Sequence, residues 1–270
     1  MQILFVGGGN MADALIGGML ARGVPAASVT VVDVSPAACS RLAGAYGVQT
    51  LTGIAEAPRA CDVVLLAVKP QQIATVCKAL AGRIGNALVI SIAAGIRTTD
   101  LARWLGGHGR LVRAMPNTPA LLRAGISGLY AAPGSGAQDR DAAQQILGAV
   151  GSVVWFDSEP ALDAVTAVSG SGPAYVFYFI EALEEAARTL GLDPSASRKL
   201  AIETFLGAAR LAAEGKDPPA VLREKVTSRG GTTERALGAL EASNVKSHIV
   251  AAIRAAAQRA RELGDELGKA

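Results

Sequence analysis

The chain opens MQILFVGGGNMADALIGGML, and this succession of short apolar run, glycine-rich turn and helical stretch constrains its fold more than any other feature. Gly7, Gly9 and Ala12 stand where a strand–turn–helix unit needs a tight turn, a close backbone approach, and a small residue that lets the helix pack on the sheet. A second strand-like run, VTVVD, follows at residues 29–33. The pattern predicts the start of an open parallel sheet. It also directs the N–H groups of Gly8, Gly9, Asn10 and Met11 at an anion, the pyrophosphate of a dinucleotide, at the helix N-terminus. A turn that needs glycine only for its dihedral angles is the plain alternative.

Further apolar runs, DVVLLAV, ALVISIA, RLVRAM, GISGLYAA and GSVVWF, alternate with helical stretches as far as residue 157. They lack strict alternation, which suits strands covered on both faces by helices. In such a sheet, ligands lie at the C-terminal ends of the strands. Asp33 ends the second strand, where its carboxylate can accept from both ribose hydroxyls and repel a 2'-phosphate, favouring NAD over NADP. It can equally cap the SPAA turn that follows, and the Ser35 hydroxyl can take part in binding a phosphate. Ala67, Val68, Lys69 and Pro70 follow a third strand and are expected along the adenosine or ribose side. Ala93, Ala94 and Gly95 offer small side chains that a nicotinamide ring can approach, and Asn117 sits in a loop stiffened by Pro116 and Pro119. Each of these loops taken alone reads equally well as a rigid connection.

From residue 158 onward Ala, Leu, Glu and Arg dominate, strands stop, and helices are predicted over 162–168, 173–190, 194–214, 219–226, 232–242 and 245–267. The fold class expected is α/β: a Rossmann-type nucleotide-binding domain over 1–157, then an all-helical domain over 158–270. The helix from Pro173 carries Tyr175, Val176, Phe177, Tyr178, Phe179 and Ile180 in succession. A surface apolar all round must be covered, by the domain core or by a second subunit.

The 26 basic and 23 acidic residues, net +3, are scattered without a basic block, which argues against a nucleic-acid partner. VVLLAV and AYVFYFI are too short to cross a bilayer, and the N-terminal run lacks the basic leader of a secreted chain. Cys39, Cys61 and Cys77 form no CxxC pair, and with only His108 and His248 available no metal site is expected. A reduced, cytoplasmic chain is the natural reading.

The stretches GGGNMA (7–12), AVKP (67–70), SIAAG (91–95), RAMPNTP (113–119), SGSGPAYVF (169–177) and VTSRGGTT (226–233), in this order, resemble those of the pyrroline-5-carboxylate reductases over essentially the full length. The resemblance implies reduction of 1-pyrroline-5-carboxylate to L-proline by NADPH or NADH, the last step of proline biosynthesis. It also implies a helical dimerisation domain, a homodimer with scope for higher assembly, and substrate pockets built between subunits. In the family the last motif usually reads SPGGTT, so Arg229 is a departure that touches the turn's rigidity. The family often prefers NADPH, which the charge of Asp33 opposes.

On this resemblance Gly230, Gly231 and Thr232, ahead of a predicted helix, would hold the substrate carboxylate with their N–H groups, and Ser228 would add a hydroxyl. Thr233 would direct its hydroxyl at the imine nitrogen. Its pKa is too high for a stand-alone acid, so a substrate iminium or a relayed water is the proton source. Ser171 and Gly172 are assigned to the pocket wall, with a helix N-cap as the plain alternative for Ser171. Two other readings stay open. A dehydrogenase of 3-hydroxy acids would need a lysine base, for which Lys199 and Lys246 are available but stand in no supporting motif. A non-catalytic nucleotide-binding protein would use the same glycines as turns.

Overall fold

Eight strands form one sheet in the order β3-β2-β1-β4-β5-β6-β7-β8 in the computed structural model, which describes residues 1–269. The strands are β1 (Ile3–Val6), β2 (Val29–Val32), β3 (Gln49–Leu51), β4 (Val63–Leu66), β5 (Leu88–Ser91), β6 (Leu111–Met115), β7 (Gly125–Ala131) and β8 (Gly151–Trp155). Between them run α1 (Asn10–Ala21), α2 (Pro36–Tyr46), α3 (Ile73–Leu80), α4 (Thr98–Trp104) and α5 (Ala137–Gly148). The chain leaves the sheet's centre in one direction after β1 and in the other at β4, which is the Rossmann arrangement with its switch point between those two strands.

Successive side chains point to opposite faces, and the core divides accordingly. Ile3, Phe5, Val31, Leu65 and Ile90 pack with Leu15, Ile16 and Met19 of α1 and Ile146 of α5. Leu4, Val6, Val64, Leu66 and Val89 pack with Ile73, Cys77 and Leu80 of α3 and Leu101 and Trp104 of α4. Both faces of the central strands are covered, which is why β1, β2, β4 and β5 are apolar throughout except for Thr30 and Ser91.

Two details depart from the sequence expectation. β7 runs antiparallel to β6, since the short turn over Thr118–Leu122 leaves no length for a crossover; β8, reached through α5, is parallel to β7 again. The edge strand β3 carries no apolar signal because it pairs with β2 alone and is nowhere buried.

The remaining helices are α6 (Ala161–Val165), α7 (Gly172–Thr189), α8 (Pro194–Glu214), α9 (Pro219–Lys225), α10 (Thr232–Ala242) and α11 (Val245–Leu267). The chain forms two compact units: Met1–Ser171 with the segment from Ala255 onward, and Gly172–Arg254. The end of α11 belongs with the sheet because Gly264 lies against Gly95, where a Cβ would meet the Gly95 carbonyl oxygen at 2.7 Å, and because Arg97 pairs with Asp265 at 2.7 Å. In the second unit Ser197 and Ala201 are the only buried residues among those described, while Phe177 and Tyr178 are 60% and 70% exposed. No described helix is long and apolar enough to cross a membrane.

Candidate active site

A cavity of about 560 Å³ opens at the switch point, lined by Gly7 and Gly9 after β1, Asp33 after β2, and Ala67, Val68 and Lys69 after β4. The two turn glycines have different physical reasons. Gly7 adopts φ +102°, and a Cβ there would stand 2.6 Å from the carbonyl oxygen of Ala67, so folding itself requires glycine. Gly9 has φ −73° and ψ −176°, a conformation open to any residue, and a Cβ there would meet nothing within 4 Å. It caps α1 without a side-chain oxygen, leaving the first-turn N–H groups of a helix that ordinarily recruits Ser, Thr or Asp open towards the cavity. Neither the dihedral angles nor the packing requires glycine at this cap, and the space beside it is open to a ligand. Gly9→Ala is accordingly expected to lower the melting temperature by only a few degrees, the cost of a poorer N-cap, while weakening nucleotide binding roughly tenfold or more. Gly7→Ala should lower both. Melting curves and titration with reduced nucleotide check the pair, and equal behaviour of the two variants would refute the distinction.

The peptide of Gly8 is held from both sides. Its N–H donates to Asp33 Oδ2 at 2.6 Å, and its carbonyl accepts from Arg41 Nη2 at 2.8 Å. Arg41 also pairs with Asp13, which accepts from the Tyr46 hydroxyl at 2.5 Å. That hydrogen bond, with burial second, pushes the Tyr46 phenol above its ordinary range. The Gly8 N–H is thus committed within the protein. Ser35 caps α2, its hydroxyl accepting from the Ala38 N–H at 3.3 Å. Asn10 is exposed at the start of α1, Met11 packs against the core, and Ala12 is fully buried.

Ala93 is buried in the core, Ala94 is half-buried, and Gly95, at φ +79°, accommodates the end of α11. Pro70 begins a short turn ahead of α3. Asn117 is anchored on the protein through one bond at each end of its amide: Oδ1 accepts from the Ile126 N–H at 2.9 Å and Nδ2 donates to the Ser169 carbonyl at 3.1 Å. The amide therefore ties the β6 loop to β7 and to the turn after α6. The cavity also takes residues outside every motif, Thr52 to Ile54 after β3 and Gln71, Gln72, Thr75 and Val76 at α3. Those around Thr52 follow the one strand without a sequence signal.

A buried ion network fixes these loops. Arg113 of β6, 3% exposed, pairs with Asp163 at 3.0 Å and Glu159 at 3.5 Å. Glu159 in turn accepts from the Thr98 N–H at 2.7 Å and its hydroxyl at 2.8 Å at the start of α4. The helix predicted over 162–168 ends as α6 at Val165 and continues as a π-helical turn over Thr166–Gly170, closed by the Ser171 N–H on the Thr166 carbonyl at 2.8 Å. Such a turn carries an extra residue and recurs at functional sites. Ser171 and Gly172 are half-buried where it passes into α7.

In the other unit, residues 228–231 form a turn in which the Gly231 N–H donates to the Ser228 carbonyl at 3.0 Å and Gly230 has φ +72°. This is the signature of a type II turn, whose second position favours proline. Arg229 occupies that position, so its departure from the family pattern costs the preset dihedral and nothing in the hydrogen bonding. The Gly230 N–H donates to Glu234 Oε2 at 2.7 Å. Gly231 thus commits its donor to the turn and Gly230 its donor to the Glu234 carboxylate, and the open donors begin at Thr232, in the first turn of α10. Thr232 is exposed and Thr233 half-buried. Among the described residues no cluster of His, Cys, Asp or Glu could hold a metal.

A Rossmann sheet whose glycine turn leaves room for a ligand at the switch point, followed by helices, defines a two-part nucleotide-dependent oxidoreductase fold. Residues 159–263 match the family model for pyrroline-5-carboxylate reductase dimerisation, and residues 2–95 match that of NADP oxidoreductase, coenzyme F420-dependent. The chain is 45% identical to the pyrroline-5-carboxylate reductase of Pseudomonas aeruginosa over 99% of its length and 98% of the relative's. A pyrroline-5-carboxylate reductase structure from Coxiella burnetii is similar at TM-score 0.92 and 42% identity, covering 97% of this chain and 98% of that one. The Plasmodium falciparum enzyme, solved with NADP bound, is similar at TM-score 0.87 and 26% identity over 98% of both chains. The chain belongs to the pyrroline-5-carboxylate reductase family.

Proposed function

We propose that this protein reduces 1-pyrroline-5-carboxylate to L-proline with NADPH or NADH, acting as a cytoplasmic homodimer. The observation that carries the reading is that the family likeness runs through the glycine turn and the RGGTT turn alike. The residues present fit a dinucleotide: Gly9 leaves a gap that a Cβ would fill, beside open N–H groups of α1. Gly7, Gly9, Asp33 and the segment from Ala67 to Lys69 would hold it, and when bound it supplies the hydride.

The chain's own work is then binding and orientation. The first-turn N–H groups of α10, from Thr232, favour a carboxylate both by geometry and by the helix dipole. Ser228 adds a hydroxyl, and Ser171 and Gly172 form part of the pocket wall. The Thr233 hydroxyl hydrogen-bonds the imine nitrogen and sets the face presented to reduction. A hydroxyl cannot deliver a full proton at neutral pH, so the substrate's iminium form or a water held by Thr233 supplies it.

In role, 1–157 is the nucleotide half and 158–270 the substrate and dimerisation half. A second copy is supported by the helices themselves. The unit Gly172–Arg254 buries almost nothing, and helices of that kind do not stay ordered without cover. Free Cys39, Cys61 and Cys77 accord with a reducing compartment. The purified, sedimentation-checked protein is expected to oxidise NADH or NADPH only when 1-pyrroline-5-carboxylate is added. Turnover with 3-hydroxy acids instead, or no turnover by a folded dimer, would overturn the proposal.

A further inference from the structure

We infer that the corner between β2 and α2 makes this enzyme select NADH over NADPH, with Asp33 as the specificity-determining residue. The inference rests on the nucleotide-binding reading of the switch-point cavity. Asp33 stands where the second strand delivers a side chain to the ribose edge of a dinucleotide. What the fold adds is that its carboxylate cannot turn away. Oδ2 accepts from the Gly8 N–H at 2.6 Å and Oδ1 from the Ser35 N–H at 2.8 Å, so both oxygens are anchored to backbone on either side of the corner. Each still has a lone pair for a ribose hydroxyl, which suits an unphosphorylated ribose.

A 2'-phosphate would need a cation in the same corner to offset the Asp33 charge, since the Ser35 hydroxyl and the start of α2 offer it only neutral donors. Val34, Ser35, Pro36, Ala37 and Ala38 provide none, and Val34 is 84% exposed. The nearest cation along α2 is Arg41, whose guanidinium is engaged by Asp13 and the Gly8 carbonyl. Lys69, the other charged residue lining the cavity, follows β4, on the far side of β1 from Asp33. Two strand spacings, about 10 Å, separate those positions. A phosphate placed at the corner therefore meets a fixed negative charge first, and repulsion at that range in a partly shielded crevice is strong.

Calorimetric titration with ADP-ribose and with its 2'-phosphate reads this directly, without turnover. The wild-type protein is expected to bind ADP-ribose roughly tenfold or more tightly than the 2'-phosphate. Val34→Arg, at an exposed position, should narrow the ratio by strengthening the phosphorylated ligand, and Asp33→Asn should narrow it by removing the charge. Equal or tighter binding of the 2'-phosphate by the wild type would overturn the inference, as would an unchanged ratio in both variants. If that happens while NADPH still drives reduction of 1-pyrroline-5-carboxylate, the reductase reading stands. If ADP-ribose is preferred but neither cofactor supports reduction, the reductase reading fails and the selectivity remains. Binding of neither ligand by the folded protein overturns both.

Discussion

Arg113→Met is expected to destabilise the sheet unit by about 3–5 kcal/mol, because breaking a buried ion pair leaves its partner charged and unsolvated. Arg113 is buried in the middle of β6, and Asp163 and Glu159 converge on it from the segment around α6. Glu159 would keep its two bonds to Thr98, whereas Asp163, 5% exposed, would lose the guanidinium that faces it. For a chain of this size the loss corresponds to a fall in melting temperature of roughly ten degrees, measured at fixed protein concentration. Converting the cluster to well-packed apolar residues should cost far less than the single change, since no orphaned charge remains. A shift of only a degree or two for Arg113→Met would show that water already reaches the network.

Loss of the hydroxyl at position 233 is the second large effect. Thr233→Ala should lower kcat by roughly a hundredfold, the scale of removing one well-placed donor from a reacting centre. Nucleotide affinity should be untouched, because the cradle proposed for the dinucleotide lies in the turns after β1, β2 and β4. The start of α10 should tolerate the change, since Gly231 caps the helix with no side-chain hydrogen bond and Thr233 is not fully buried. Thr233→Ser restores the hydroxyl and should recover most of the rate. Wild-type kcat in the alanine variant would remove Thr233 from the chemistry, while a raised KM with unchanged kcat would reassign it to ground-state binding.

The glycine turn shows how far local reading goes. GGGNMA at the end of a first strand points to a tight turn and a close approach, and the structure separates these between Gly7 and Gly9 by their dihedral angles and surroundings. Asp33 offered two sequence readings, cap or ribose acceptor. Its carboxylate does bond the Ser35 N–H, and it also reaches Gly8, a contact between residues 25 apart in sequence. Asn117, a polar residue between prolines that reads as a ligand group, uses one donor and one acceptor of its amide on Ser169 and Ile126. The π-helical turn had no signal, because TAVSG has the composition of an ordinary helix end.

By itself the sequence determined the α/β half, the helical half, the position of the glycine turn and the family. Each of these rests on short-range order: runs of Val, Ile and Leu between helical stretches, glycine where φ must be positive, and motifs a few residues long. Only the tertiary structure decided which donors are left to bind anything. It commits the N–H groups of Gly8, Gly230 and Gly231, engages the Asn117 amide, and pins Asp33. A backbone or side-chain polar group has a limited number of hydrogen bonds to give, and whether they are spent depends on neighbours that folding brings in from elsewhere in the chain.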